Sequence, residues 1–372
     1  MKTALVIDWM VSAIGGAEKL NQSICEIFNP DIFTLVKDEK ILKGTSFSNY
    51  KITSSFIQKL PFAKKKYRNY LPLFPLAIEQ LDTSSYDLVL SSSHSVAKGV
   101  MTHPDQLHIC YCNTPIRYAW DLYHQYLSDS KLQRGIKGKF AKLFLHYIRL
   151  WDVSSVNRVD EFIANSKCIA RRIKKAYGRD SKVIYPPVDT KYFEFHPKKE
   201  NYYVAASRLV PYKKIDMIVE TFSRLPNLKL VVIGDGPQRK LIERKATKNI
   251  EILGAVPDLE IKKHLQKAKA FIFASHEDFG ILPVEAQSCG TPVIAFKRGG
   301  ALETVIDQKT GIFFEEQTPE SLLEAIKDFE RKYDDFDLEE IREHALKFDV
   351  DYFKKEMEQF ILKKYLEFQR AQ

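Results

Sequence analysis

Residues Tyr202 to Pro237 read YYVAASRLVPYKKIDMIVETFSRLPNLKLVVIGDGP. Two apolar runs, YYVAASR (202–208) and LKLVVIGDGP (228–237), flank KKIDMIVETFSRL (213–225), whose apolar residues recur at helical spacing. Strand, helix and strand in that order predict parallel pairing with a crossover helix covering the sheet. The alternation continues through IEILGAV (250–256), a helix EIKKHLQKA, AFIFAS, a helix PVEAQSCG, TPVIAF (291–296) and a helix around LETVI. Upstream it is present too, in TALVID (3–8) before a helix from about Ala17, YDLVLSSS (86–93), QLHICYC (106–112) and EFIANS (161–166) before CIARRIKKAY. Between the halves, VIYPPVDTKYFEFHPKKEN (183–201) carries Pro186, Pro187 and Pro197 and reads as a linker. The expected class is α/β with parallel sheets in two domains, 1–184 and 185–349, followed by a long C-terminal helix over 350–372.

At 372 residues and 45% hydrophobic, the chain has ample apolar content for two cores. No apolar stretch approaches the ~18 residues of a membrane span, and the opening MKTALVIDWMVSAIGG holds Asp8 inside its apolar run, so a soluble, cytosolic chain is expected. The cysteines Cys25, Cys110, Cys112, Cys168 and Cys289 lack metal-ligand spacing, and Cys110 and Cys112 would share one strand face in the core. The formal charge of +9 belongs to the first half: residues 1–184 hold 27 Lys+Arg against 16 Asp+Glu, and residues 185–372 hold 30 against 32. A basic balance attracts anionic lipid, nucleic acid or acidic substrates. It concentrates in Lys59 to Phe74, where Phe62, Tyr67, Tyr70 and Phe74 stand among cations. A second concentration is Lys131 to Leu150, which has no acidic residue. In the latter, Ile136, Phe140, Leu143, Tyr147 and Leu150 recur at helical spacing beside Lys137, Lys139, Lys142 and Arg149. Such a helix either lies on an anionic membrane or turns its apolar side into the protein core.

In parallel sheets ligands bind past the carboxyl ends of strands. The first strand of the second half delivers Arg208 and Lys213 there, the second delivers Gly234, and AFIFAS delivers Glu277 to Glu285 (EDFGILPVE). In that last segment a glycine turn opens a helix read from Pro283 to Ser288, which places Glu285 on its first turn. The backbone N–H groups of Phe279, Gly280, Ile281 and Leu282 stand at a positive helix end, suited to phosphate or sugar oxygens. Two cations and these donors can neutralise a diphosphate without metal, while Glu285 could accept ribose hydroxyls and Glu277 a sugar hydroxyl. Two solvated acids around a turn is the plainer reading of the glutamates alone. In the first half, Gly15-Gly16 follows the first strand and His94 lies just past another strand end. Asp335-Phe336-Asp337 and Asp349-Val350-Asp351 match a D-x-D metal pattern, yet both fall in the helical tail and read as solvated or capping acids. No metal site and no cofactor are expected.

These segments, with SRLVPYKKID (207–216), FIANS (162–166) and VIYPPVD (183–189), resemble the retaining glycosyltransferases of family 4 over essentially the whole chain. HICYCNTPIRYAWDLY (108–123) is similar to the subset building bacterial cell-surface polysaccharides, often mannosyltransferases. The resemblance implies the GT-B fold, two Rossmann-like domains facing across a cleft, with the C-terminal helix crossing back to the first. It implies that Arg208 and Lys213 hold the diphosphate, Glu285 the ribose and Glu277 the transferred sugar, with base recognition by backbone near Ala255 and Val256. His94 would approach the sugar hydroxyls, and Gly15, Gly16, Arg117 and Trp120 would lie on the acceptor or phosphate side. Tyr212 and Lys214 depart from the commoner Glu and Gly, and Asp278 precedes Phe279. The function implied is transfer of mannose from GDP-mannose to a lipid-linked or growing surface glycan, at the inner face of the cell membrane. A UDP-sugar donor is the alternative. A nicotinamide-dependent oxidoreductase would need the GxGxxG fingerprint, which is absent. A non-catalytic basic protein binding lipid or nucleic acid leaves Arg208, Lys213 and the paired glutamates unexplained.

Overall fold

The computed structural model describes residues 1–11, 15–130 and 132–372. Two compact units are present: Met1–Tyr185 with Phe353–Gln372, and Pro186–Tyr352. The first holds β1 (Thr3–Ile7), β2 (Asp31–Thr34), β3 (Ile52–Ser54), β4 (Leu88–Ser93), β5 (Leu107–Cys112), β6 (Glu161–Ala164) and β7 (Lys182–Val183). The second holds β8 (Glu200–Ala206), β9 (Lys229–Ile233), β10 (Ile250–Gly254), β11 (Ala268–Phe273), β12 (Val293–Phe296) and β13 (Gly311–Phe314). The sheet orders are β3-β2-β1-β4-β5-β6-β7 and β10-β9-β8-β11-β12-β13, with every pairing parallel.

Central strands are buried along their whole length because helices cover both sheet faces, so apolar residues point to both faces rather than alternating, with Ser91, Ser92, Ser93 and His108 as buried polar exceptions. In the first unit, Leu5, Ile7 and Leu90 pack on one face with Leu20 and Ile24 of the helix Gly16–Phe28, and Ala4, Val6 and Val89 pack on the other with Phe74 and Ile78. The C-terminal helix, Val350–Ala371, lays Phe353, Met357 and Ile361, one turn apart, into the former cluster. Cys110 and Cys112 lie together in a third cluster with Phe162 and Ile169, as the strand period requires, and all five cysteines are buried free thiols. Four strands, β2, β3, β7 and β13, are not among the runs recognised in sequence. They are two to four residues long and are placed in the sheets by pairing with their neighbours.

His108 on β5 is wholly buried, with Nε2 against the Ser91 hydroxyl at 2.8 Å and Nδ1 against the Arg158 carbonyl at 2.7 Å. Those partners suit a neutral ring that donates from Nδ1 and accepts at Nε2. Burial, helped by the nearby Lys98 and Arg158 charges and partly offset by the Arg158 carbonyl, holds its pKa down to about 4. The unfolded chain takes up that proton near the ordinary value of about 6.5, so this contribution is complete above that pH and is lost as pH falls toward 4, about 3 kcal/mol in all. Urea unfolding of wild type and His108→Gln should therefore converge between pH 7 and pH 4.5. A parallel pair of pH profiles contradicts this.

Candidate functional site

Each sheet reverses its strand order beside one strand: β1 lies between β2 and β4, and β8 between β9 and β11. Connections leave such a pair of strands in opposite directions, opening a crevice past their carboxyl ends. The residues after β8 and β11, and after β1 and β4, border these two crevices.

In the Pro186–Tyr352 unit, β8 runs into Ser207, the exposed Arg208 and a single 3-10 turn, Pro211–Lys213. Glu277 follows β11. The Lys213 ammonium donates to Glu277 Oε1, and the Ser275 hydroxyl donates to the same oxygen at 2.6 Å. Lys213 and Glu277 keep 16% and 23% exposure, so the pair is partly withdrawn from water yet reachable. Lys214 adopts φ 57°, in the left-handed region. A side chain there costs about 1 kcal/mol relative to glycine, which gives the Lys214 departure a physical meaning.

Gly280, at φ 89°, caps the helix Ile281–Ser288. The helix begins two residues earlier than its proline suggested. Pro283 is its third residue, where an N–H still has no intrahelical acceptor, and Glu285 stands on the second turn rather than the first. Phe279 is buried edge-on against Phe348, with ring centroids 5.5 Å apart, and Glu285 is 5% exposed. Ile281 and Leu282, half-buried, are the first two residues at the positive end of this helix.

Two glycine contacts hold the crevice in shape. A β-carbon on Gly234, whose φ is 132°, would lie 1.8 Å from the Ser207 carbonyl oxygen, so only glycine lets the β9 turn approach the β8 turn. The Gly234 N–H donates to Gly254 O at 2.8 Å, which brings the exposed Ala255 and half-buried Val256 alongside. Gly299 and Gly300, after β12, escaped the sequence reading. Gly300 N–H donates to Glu277 O at 2.9 Å, and a β-carbon on Gly300 would lie 2.2 Å from Phe279 Cα. The pattern that singled out Gly15-Gly16, a Gly-Gly pair between strand and helix, is present in TPVIAFKRGGALETV and could have found them.

In the other unit, Asp8 follows β1 and His94 follows β4. Asp8 is fully buried and accepts the N–H groups of His94 (2.7 Å), Ser95 (2.9 Å), Val96 (2.6 Å) and Ala97 (2.8 Å). His94 Nδ1 lies 3.1 Å from Asp8 Oδ2, its ring is edge-on to Trp9 at 4.4 Å, and it remains one-third exposed. Asp8 thus fixes both backbone and imidazole at the strand end. Its only sequence signal was a carboxylate inside an apolar run. Gly15 N–H donates to Glu18 Oε2 at 3.0 Å and Gly16 begins the helix Gly16–Phe28. Arg117 is half-buried. Trp120 points its indole N–H at the buried Asp152 carboxylate, 2.7 Å away.

Three of the D-x-D acids have structural partners: Asp337 accepts the N–H groups of Glu339 and Glu340 at the start of a helix, Asp349 accepts the Thr190 hydroxyl, and Asp351 pairs with Lys191. The Lys59 to Phe74 segment is less interleaved than its sequence implied, because Tyr67 and Phe74 are drawn into the core and the Tyr70 hydroxyl turns back to Pro61 O. Lys131 lies outside the described residues. Among the described residues, no helix is long and apolar enough to cross a membrane.

Known proteins share this fold and parts of this sequence. The family model for glycosyl transferases group 1 matches residues 189–347, and that for glycosyltransferase family 4 matches residues 37–192. An uncharacterized glycosyltransferase of Methanocaldococcus jannaschii is 31% identical over 201 residues, covering 52% of this chain and 54% of that protein. A GDP-mannose-dependent alpha-(1-6)-phosphatidylinositol monomannoside mannosyltransferase of Mycolicibacterium smegmatis is 29% identical over 203 residues, covering 46% and 53%. The chain spans about half the length of these curated relatives. The crystal structure of Anabaena HepE in complex with UDP superposes with a TM-score of 0.72 at 18% identity, covering 98% of this chain and 100% of that one, which shows the GT-B fold. With two consecutive family models spanning residues 37–347 and both sheets in this topology, the chain carries the two domains of a family 4-like glycosyltransferase.

Proposed function

We propose that the chain transfers a hexose from a nucleotide diphosphate sugar to a lipid-linked or growing surface glycan, with retention at the anomeric carbon. The observation that carries this reading is the pairing of Lys213 with Glu277 at the β8/β11 switch point, beside the N-terminus of the helix that carries Glu285. In this reading Lys213, Arg208 and the helix N–H groups take the diphosphate, Glu285 the ribose and Glu277 a sugar hydroxyl. The backbone near Ala255 and Val256 serves the base. His94, Gly15, Gly16, Arg117 and Trp120 are assigned to the sugar and acceptor side. The departing phosphate oxygen takes the acceptor's proton, so catalysis consists of positioning and charge stabilisation, without a protein nucleophile or a metal. GDP-mannose is the preferred donor, supported by the GDP-mannose dependence of the Mycolicibacterium relative; a UDP-sugar is the alternative, supported by the UDP bound in HepE. An acceptor of this kind places the chain at the inner face of an anionic cell membrane.

A thermal-shift series with GDP-mannose, UDP-glucose, UDP-galactose and UDP-N-acetylglucosamine tests the donor, since a bound ligand stabilises by mass action. Glu285→Ala should keep the fold and weaken GDP or UDP binding by about ten- to a hundredfold, the scale of a lost hydrogen bond to a charged group. Equal nucleotide affinity in calorimetric titration of the two proteins removes Glu285 from the ribose.

A further inference from the structure

The helix Gly135–Ser154 is fastened to its unit by Leu145, Ile148 and Trp151, all buried. Its other side turns Ile136, Phe140, Leu143, Tyr147 and Leu150 to solvent, at 75, 67, 65, 46 and 60% exposure. Spacings of four, three, four and three residues stack these side chains in one stripe, about 20 Å long at 1.5 Å per residue. The apolar side expected either in a membrane or in the core is therefore not in the core of this unit. Five large apolar side chains in water gain nothing for folding.

Charge decides what covers them. Arg134, Lys137, Lys139 and Lys142 are exposed around the stripe, and no carboxylate occurs from Leu132 to Trp151. The one acid of the helix, Asp152, is fully buried against Lys98 at 2.9 Å. Arg149 belongs to the fold, donating to Ala119 O at 3.0 Å and lying over the Tyr123 ring. Two-fold pairing of this helix with a second copy would bring two sets of these cations together with no exposed acid of either helix to answer them. An apolar stripe edged by cations alone matches the boundary between acyl chains and anionic headgroups.

We propose that the Ile136 to Leu150 stripe inserts into the headgroup region of an anionic bilayer, with the helix lying in the membrane plane. The inference deepens the membrane partner of the proposed function and rests on that reading for its acceptor. It also divides labour between the two basic segments. In the Lys59 to Phe74 segment, Phe62 is exposed but Tyr67 and Phe74 are core residues, so Lys64, Lys65, Lys66 and Arg68 offer charge without an apolar face. That segment contributes through long-range attraction, which salt screens, and the stripe through apolar burial, which salt spares.

The test is sedimentation of the full chain with vesicles of phosphatidylcholine and phosphatidylglycerol, at low and physiological salt, beside pure phosphatidylcholine. Phe140→Ser/Leu143→Ser should reduce partition into the mixed vesicles at least tenfold at both salt concentrations, with an unchanged melting temperature, because both side chains are already exposed. Neutralising Lys64, Lys65, Lys66 and Arg68 together should weaken binding chiefly at low salt, by roughly fivefold per cation lost near the surface. Tyr147→Trp should show quenching by brominated acyl chains. Wild-type failure to bind mixed vesicles overturns the proposal, as does a stripe variant that binds like wild type. A wild-type dimer that the stripe variant makes monomeric, without vesicle binding, overturns it in favour of a second copy. The melting shift with nucleotide sugar, read on the same samples, tests the proposed function separately: vesicle binding without any donor response sinks that reading and leaves the stripe standing.

Discussion

Lys213→Ala is expected to lower the transfer rate by about 10²- to 10³-fold, the scale of removing one preorganised donor from a developing charge. The ammonium is held by contacts within its own unit. Its pairing with Glu277, itself held by Ser275 at 2.6 Å, keeps it on the β11 side of the crevice, partly shielded from water. In the proposed function a donor diphosphate takes the place of this carboxylate as its partner, so little side-chain ordering would remain to be done when charge builds on the leaving phosphate. Glu277→Gln is the informative companion. It keeps the shape and the Ser275 contact but removes the anion, so nucleotide diphosphate affinity should hold or rise while turnover falls. Steady-state transfer kinetics with nucleotide calorimetry on both variants check this. A Lys213→Ala kcat/KM within about threefold of wild type sinks the assignment, and a covalent glycosyl adduct trapped on Glu277 sinks the front-face mechanism.

The largest expected loss of stability comes from a pair remote from that chemistry. Lys98 and Asp152 are 1% and 0% exposed, with Nζ and Oδ1 2.9 Å apart. The ammonium also reaches Asp152 O at 2.7 Å and the Ser155 hydroxyl, while the carboxylate accepts the Trp120 indole N–H and the Tyr177 hydroxyl. Every charge is answered, but none is near water. Lys98→Met leaves a buried carboxylate with two neutral donors, and Asp152→Leu leaves a buried ammonium; each should cost about 3–5 kcal/mol. Against a total of roughly 5–15 kcal/mol, that lowers the melting temperature by on the order of 10 °C. The double variant Lys98→Met/Asp152→Leu should recover much of the loss, because no stranded charge remains. Additive losses in chemical denaturation, or single variants within about 1 kcal/mol of wild type, refute the account.

The long apolar runs and the helical periods between them carried the α/β architecture, because parallel strands buried on both faces are largely apolar. The four short strands carried no such signal. At the site, Lys213, Glu277 and the Gly280 turn were legible because strand ends and glycine turns are local features. Asp8 was not, since its role exists only once β1 meets β4, and Gly299-Gly300 offered the sequence a Gly-Gly pair whose contact with Phe279 only the fold creates. Trp120 shows the opposite limit: a residue expected near the acceptor spends its N–H on a carboxylate 32 positions away.

The Gly135–Ser154 helix separates the two kinds of information most clearly. By itself the sequence determined that Ile136, Phe140, Leu143, Tyr147 and Leu150 form one apolar stripe edged by cations, because the helical repeat is a local property. Only the tertiary structure decided which side of the helix met water, since Leu145, Ile148 and Trp151 found a core to enter and the stripe did not. The same division holds for the candidate site. Residue types and spacing chose the candidates, and the parallel order of strands, a sum of long-range contacts, decided that Lys213 would stand against Glu277.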